Sequence, residues 1–376
     1  EEGFDMRMCV LGGCADMAGP LLKRLAADVD IDGIVLADLN VEKAQQLAAQ
    51  YGARFTGARC DAESPETIIA AMRGCDVAIS YIGPFYRFEK QLASCAIEAG
   101  VPYVSIADDY DAYLDVITLE DQARAANVKI LTGFGNSPGL TQILARKGYN
   151  AVTNPFAIRV NWCAGSAESV GTSNLMHLFH IFNGTTLQWM DGREVRVKTG
   201  EGRKWVEFPP PIGATWVYYT GHAESVTLPR NLPGLREVTL HGGVKPNYIV
   251  GLVKFMSALG LFTTHARRAR LARLFHHIEG WFSSPGIDKS VGRVEVFGKQ
   301  GNTTVCKHFL YVGHIAEITS MPAYLAAKWL STGRFDGLPG GVYAPERLLE
   351  QPDAFLTELG ALGVEMTESE IYPAPA

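Results

Sequence analysis

Three stretches of the chain carry residues able to do chemistry. In "GHAESVTLP", His222 stands two residues before Glu224. A histidine beside a carboxylate is an acid–base group tunable near neutral pH. On a strand, residues two apart share one face, so the pair is expected to act together. In "IGPFYR", Tyr86 follows an apolar run and a Gly83–Pro84 corner, which puts a phenol at a strand exit. The third stretch is "VLGGCADMAGP", Val10 to Pro20. It departs from G-x-G-x-x-G, because Cys14 stands where the second glycine belongs. Gly12, Gly13, Ala15 and Ala18 still make a run of small residues. That run lets the amides of Cys14, Ala15, Asp16 and Met17 approach a pyrophosphate at a helix N-terminus.

Other residues extend this reading. Asp38 ends the next apolar run, about twenty residues on, where an acid receives the adenosine ribose hydroxyls. No arginine follows it to take a 2′-phosphate, so NAD is expected rather than NADP. Asp61 ends the third run, where adenine would lie; an acid there equally suits a helix cap. Ile82, Gly83 and Pro84 are expected beside the nicotinamide ribose. Asn136 and Pro138, in "GNSPG", are expected at the ring, with Asn136 also a substrate contact. Arg230 and Lys245 are candidate carboxylate binders, Arg having the geometry for a bidentate grip. His177 and His180 share a helix face without a third ligand type nearby, so no metal site is expected.

The elements that must position these residues alternate through the first third of the chain. Short apolar runs at 7–11, 33–38, 53–61, 76–83, 102–107 and 128–135 are separated by stretches of helical spacing, as at Pro20–Asp28 and Val41–Gly52. Six such strands imply a parallel sheet with helices on both faces. The expected fold class is α/β, a doubly wound parallel Rossmann sheet with ligand beyond the C-terminal strand ends. After about Pro138 the pattern changes. Alternating strands at 156–162, 193–200, 235–243, 291–302 and 304–313 predict an inserted α+β domain with an antiparallel sheet. Helical spacing returns at Met321–Gly333 and Pro352–Gly363. The expected domains are 1–135 plus 320–370 for the dinucleotide, and 136–319 for substrate binding and dimerisation.

Composition narrows the partners. The chain has 376 residues, 47% hydrophobic, with a formal net charge of −6; no nucleic-acid partner is expected from that charge. Seven scattered cysteines without a C-x-x-C pair read as reduced thiols in a cytoplasmic protein. Glu1–Met8 carries no apolar core of a targeting segment. The apolar stretch Tyr248–Phe262 is too short to span a bilayer and contains Lys254. With the basic "HARRARLARL" after it, it reads as a buried helix followed by a solvated face, without a membrane partner. Its apolar surface makes a homodimer the expected assembly.

Several of these stretches resemble the saccharopine dehydrogenase-like oxidoreductases, especially the lysine 6-dehydrogenase branch. They are "LGGCADMA", "CDAESPETIIAAMRGCDVAISYIGPFY", "CAIEAGVPYVSIADD", "TGFGNSPGLTQILA", "GHAESVTLPRNLPGLREVTLHGG" and "SMPAYLAAKWLSTGRFDGLPGGVYAPERL". Ser105 departs from the aspartate often found at its position in that family. The resemblance implies a Rossmann domain with an inserted second domain, NAD(P) as cofactor, and chemistry at a C–N bond of an amino acid, opine or polyamine-like substrate. It also implies dimers joined through the second domain, and an active-site role for Tyr86. Two other readings stay open: a lyase or transferase that keeps NAD bound without net redox change, and a nucleotide-binding module without catalysis.

Overall fold

The computed structural model describes residues 6–168, 171–283 and 286–371. The chain divides into two compact units, with boundaries at Gly139/Leu140, Ile318/Thr319 and Pro345/Glu346.

The first unit is built on six strands from its N-terminal part. They are β1 (Arg7–Leu11), β2 (Gly33–Asp38), β3 (Phe55–Arg59), β4 (Val77–Ser80), β5 (Tyr103–Ser105) and β6 (Lys129–Leu131). Met8, Cys9, Val10 and Leu11 are wholly buried, which is why β1 reads as an unbroken apolar run rather than an alternating one. All pairings are parallel. The order β3-β2-β1-β4-β5-β6 reverses direction between β1 and β4, the place where doubly wound sheets bind ligand. Helices follow each strand, among them Gly19–Ala27, Val41–Tyr51 and Phe85–Ala99. Asn40 caps the second of these by accepting a hydrogen bond from the Lys43 amide.

The second unit holds a mixed sheet. Its strands are β7 (Ala157–Gly165), β8 (Thr185–Met190), β9 (Arg193–Lys198), β10 (Lys204–Val206), β11 (Thr215–Tyr219), β12 (Glu237–Lys245), β13 (Ser290–Gln300) and β14 (Thr303–Gly313). Most neighbours are antiparallel, but β12 and β7 run parallel from Glu237↔Ala157 to Lys245↔Gly165. The expected antiparallel pairing holds for the other neighbours, and this one parallel pair makes the sheet mixed.

Late in the chain, β15 (Gly341–Tyr343) adds a seventh parallel strand beside β6. The helix Asp353–Ala361 and β16 (Glu365–Ile371) belong to the second unit, where β16 pairs with β14. The expected return of 320–370 to the first domain thus stops at Pro345.

Two local expectations are corrected. "GHAESVTLP" is not a strand: the chain turns at Ala223 and enters the helix Glu224–Asn231. Glu224 through Leu228 are all buried, so the segment lacks the in–out alternation a strand would show. The helix Tyr248–Ala258 is buried on one face only; Tyr248, Leu252 and Phe255 lie on the surface.

Candidate functional site

The loop after β1 is a cradle made by close backbone approach. Gly12 has φ +74°, and a Cβ there would lie 3.0 Å from the Tyr81 carbonyl carbon and 3.1 Å from the Ile82 nitrogen. Only glycine satisfies both the conformation and the space. The Gly12 and Gly13 amides donate to the Ala37 carbonyl at 2.8 and 3.3 Å, which fastens the loop to the end of β2. Ala15 and Ala18 amides close short turns onto Gly12 and Ala15. A 3₁₀ turn, Asp16–Ala18, then leads into the helix Gly19–Ala27. The amides of Asp16 and Met17 open that turn and have no acceptor among the described residues. They are the free donors that an anion at a helix start requires.

Asp38 faces this loop. One carboxylate oxygen accepts the Cys14 amide at 3.1 Å and the other the Asn40 amide at 3.0 Å. Each oxygen keeps a second lone pair. The Lys43 ammonium is drawn to the Cys14 carbonyl at 3.1 Å. Partial burial, with the Asp38 charge beside it, pushes the Cys14 thiol up to about 11, so it stays a neutral side chain. Asp61 behaves as a turn residue: its carboxylate accepts the Glu63 amide at 3.0 Å and pairs with Arg59 at 3.5 Å.

The β4 exit is tied to the same loop by side chains the sequence did not single out. The Tyr81 phenol donates to Ser320 Oγ at 2.8 Å, and that hydroxyl donates to the Met17 carbonyl at 3.0 Å. Burial raises the Tyr81 phenol well above its ordinary range, so it remains a donor. Ile82, Gly83 and Pro84 follow directly, and Pro84 precedes the first turn of the helix Phe85–Ala99. The Gly83–Pro84 and Ser137–Pro138 bonds are both cis. Tyr86 is half-buried on that helix, its amide donating to Asp109 at 3.1 Å. Pro138 packs near Gly133, whose Cβ would meet it at 3.2 Å. The Asn136 side-chain oxygen is buried without a hydrogen-bond partner among the described residues.

One turn beyond Tyr86 lies a buried carboxylic acid. Glu89 accepts from Ser105 Oγ at 2.5 Å, Thr132 Oγ1 at 3.3 Å and the Tyr103 phenol at 3.0 Å. Complete burial pushes it up to about 7 against those three hydrogen bonds. At Ser105 a carboxyl group is therefore present after all, supplied by the neighbouring helix.

In the second unit the structure gathers a different set around His222. His222 is 5% exposed, and its Nε2 lies 3.0 Å from Nε2 of His177. The Trp162 ring stacks on it with centroids 5.2 Å apart and planes 5° from parallel. Register places Gly242, Trp162, Gly292 and Tyr311 side by side across β12, β7, β13 and β14. A Cβ on Gly242 would meet the indole at 2.2 Å, and one on Gly292 the Tyr311 ring at 2.0 Å. Both rings thus lie across glycines. Glu224 is fully buried and accepts from Thr141 Oγ1 at 2.8 Å. Burial first, and the Glu224 charge second, hold the Tyr311 phenol well above its usual range. Its hydroxyl, like the Trp162 N–H, has no hydrogen-bond partner among the described residues.

The expected carboxylate binders are placed elsewhere. Arg230 pairs with Glu194 at 3.7 Å on the surface. The Lys245 ammonium donates to the Ile212 carbonyl; three residues past Gly242 on β12, it lies on the opposite face of the sheet. His180 lies 3.3 Å from an Arg268 nitrogen.

The family model for the saccharopine dehydrogenase NADP binding domain matches residues 9–131. Saccharopine dehydrogenase (L-Glu forming) from Saccharomyces cerevisiae superposes with a TM-score of 0.74 at 16% identity, over 97% of this chain and 100% of that one. Homospermidine synthase from Legionella pneumophila, solved in complex with NAD, gives 0.63 at 16% identity, over 98% and 92%. At such identities the likeness is one of fold. Residues 9–131 therefore match the saccharopine dehydrogenase NADP binding domain, in a chain whose fold is similar to that of saccharopine dehydrogenase throughout.

Proposed function

We propose that the protein is an NAD-dependent dehydrogenase acting on a C–N bond of an amino acid, opine or polyamine-like substrate. The observation that carries this reading is the loop cradle: Gly12 against Ile82, free amides at Asp16 and Met17, and Asp38 beside them. When bound, a nicotinamide dinucleotide supplies a hydride acceptor. The Asp16 and Met17 amides would hold its pyrophosphate. The second lone pairs of Asp38 would take the adenosine ribose hydroxyls, and Gly83, Pro84, Asn136 and Pro138 would border the nicotinamide end.

Removing a hydride from a carbon bearing an amine also requires a proton to leave the nitrogen. His222 is the proposed acceptor. Its Nε2 lies 3.0 Å from Nε2 of His177, a contact in which one ring donates and the other accepts, and which orients the imidazole. Trp162 holds the imidazole plane. The substrate is left as an imine, which water hydrolyses to a carbonyl and an amine. Tyr86 is assigned an orienting contact to the substrate.

Calorimetric titration of the unmodified protein with NAD and NADP tests the cofactor assignment. A 2′-phosphate adds about −1.5 to −2 charge beside Asp38, and like charges brought together cost several kcal/mol. NAD should bind about a hundredfold tighter. Equal or tighter binding of NADP would remove Asp38 from the role given to it here.

A further inference from the structure

The helix Tyr248–Ala258 carries an apolar stripe on its outer side. Tyr248, Leu252, Phe255 and, just beyond the helix, Leu259 are 60, 42, 62 and 60% exposed. Steps of four, three and four residues put them on one helical face. The inner face is already satisfied: Val250, Val253 and Met256 are buried in a cluster with Phe179, Phe262 and Ala272. The outer stripe is therefore surplus to the core, and a contiguous apolar surface of this kind marks a contact site.

Charge identifies the partner. From Tyr248 to Ile278 there is no Asp or Glu, while Lys254, Arg267, Arg268, Arg270 and Arg273 stand in that span of a chain whose net charge is −6. The following helix, His265–Ser283, turns Ala272 inward and presents Arg267, Arg270, Arg273 and Leu274 to solvent. Arg267 donates to the Gly260 carbonyl at 3.2 Å and to Thr263 Oγ1 at 3.0 Å. That bond fixes a cation at the turn directly after Leu259.

We propose that these two helices dock on an anionic lipid surface. Tyr248, Leu252, Phe255 and Leu259 enter the boundary between headgroups and acyl chains, and Arg267, Arg270 and Arg273 meet the lipid phosphates. An exposed aromatic and leucine stripe beside a basic helix is the composition of an interfacial element. Among the described residues no helix is long and apolar enough to cross a membrane, so the element lies on the surface. A second copy of this chain is a poorer occupant. A twofold interface sets the same patch against itself, facing this cationic surface with its own image and no carboxylate of the segment between them.

Co-sedimentation of the full chain with phosphatidylcholine vesicles, with and without phosphatidylglycerol, tests the proposal. Binding is expected only to the anionic vesicles and should weaken with salt. Each arginine near such a surface is worth about fivefold, so Arg270→Ala with Arg273→Ala should weaken binding about thirtyfold. Leu252→Asp with Phe255→Asp should abolish it. All four positions are exposed, and unchanged melting temperatures would show that the variants fold. No binding to anionic vesicles, or binding indifferent to both pairs of substitutions, would overturn the proposal. So would a dimer in light scattering that Phe255→Asp dissociates, since the stripe would then be occupied by a second copy.

Discussion

The loop after β1 and the cluster around His222 are held by different kinds of atoms. At the loop the contacts are made by backbone groups of the loop itself: the Gly12 and Gly13 amides to the Ala37 carbonyl, the Cys14 amide to the Asp38 carboxylate, and the close approach of Gly12 to Ile82. Around His222 they run through side chains, with Trp162 stacked on the imidazole, His177 bonded to it, and rings lying across Gly242 and Gly292. A backbone cradle recognises a shape common to every dinucleotide and tolerates changes of side chain that keep the residues small. A side-chain cluster depends on each member's chemistry. Substitutions in the two regions should therefore fail in different ways, and each region should fail alone.

The largest separation is expected from His222→Asn. Losing a general acid–base group costs roughly 10²–10⁴-fold in turnover, while the affinity for NAD, read from calorimetry, should stay unchanged. Loss of NAD binding in that variant would erase the distinction between the regions. Gly12→Ala should do the reverse. A left-handed residue with a Cβ against the Tyr81–Ile82 backbone costs about 1–3 kcal/mol in strain alone. NAD affinity should fall by roughly ten- to hundredfold, with the melting temperature reporting any wider damage.

Glu89 sharpens the comparison, because it is a side-chain knot inside the backbone-built unit. Its folded value of about 7 lies above the ordinary 4.5. The stabilisation is complete below the ordinary value, where both states are protonated. As pH rises from there to about 7, the folded state keeps a proton that the unfolded chain has released, and stability is lost. The loss is about 3 kcal/mol across that window. Urea unfolding at about pH 5 and about pH 8 should show this component, and Glu89→Gln should lack it. An identical pH profile in that variant would mean that Glu89 is charged in the folded protein. The smallest effect is expected from Ser320→Ala. It breaks the Tyr81–Ser320–Met17 chain of hydrogen bonds, and each such bond contributes about 1 kcal/mol. NAD affinity should fall a few-fold at most; no change would leave Ser320 a packing residue.

Much of the first unit was legible because its strands are buried on both faces, so unbroken apolar runs such as Met8–Leu11 announce them. Strand β15 was not, since three residues joining β6 from far along the chain carry no local period. Spacing by two makes "GHAESVTLP" resemble a strand, although the buried run Glu224–Leu228 does not alternate. The small-residue loop and Asp38 could be located from spacing. The amides that donate to Asp38 could not, because they depend on where β1 and β2 lie side by side. Trp162 and Tyr311 escape a sequence reading for a related reason: their placement follows from register between distant strands. His177 is visible only as a helix neighbour of His180, and its contact with His222, 45 residues on, carries no local spacing signal. Gly242 and Gly292, standing inside β12 and β13, were the available signal, since glycine within a strand marks a close approach. Ser105 was noticed as a departure, but its partner Glu89 sits on another element sixteen residues away.

The central claim is that this fold transfers hydride to free NAD while a C–N bond is oxidised. The direct measurement is the nicotinamide absorbance band, followed with purified protein, excess NAD, and a panel of amino acids, diamines and opines. Reduced NAD should accumulate over many turnovers with at least one member of the panel, in step with release of amine, and His222→Asn should suppress it. Substrate conversion without any net change in that band would contradict the account, because NAD would then be a bound group returned to its starting state within each turnover.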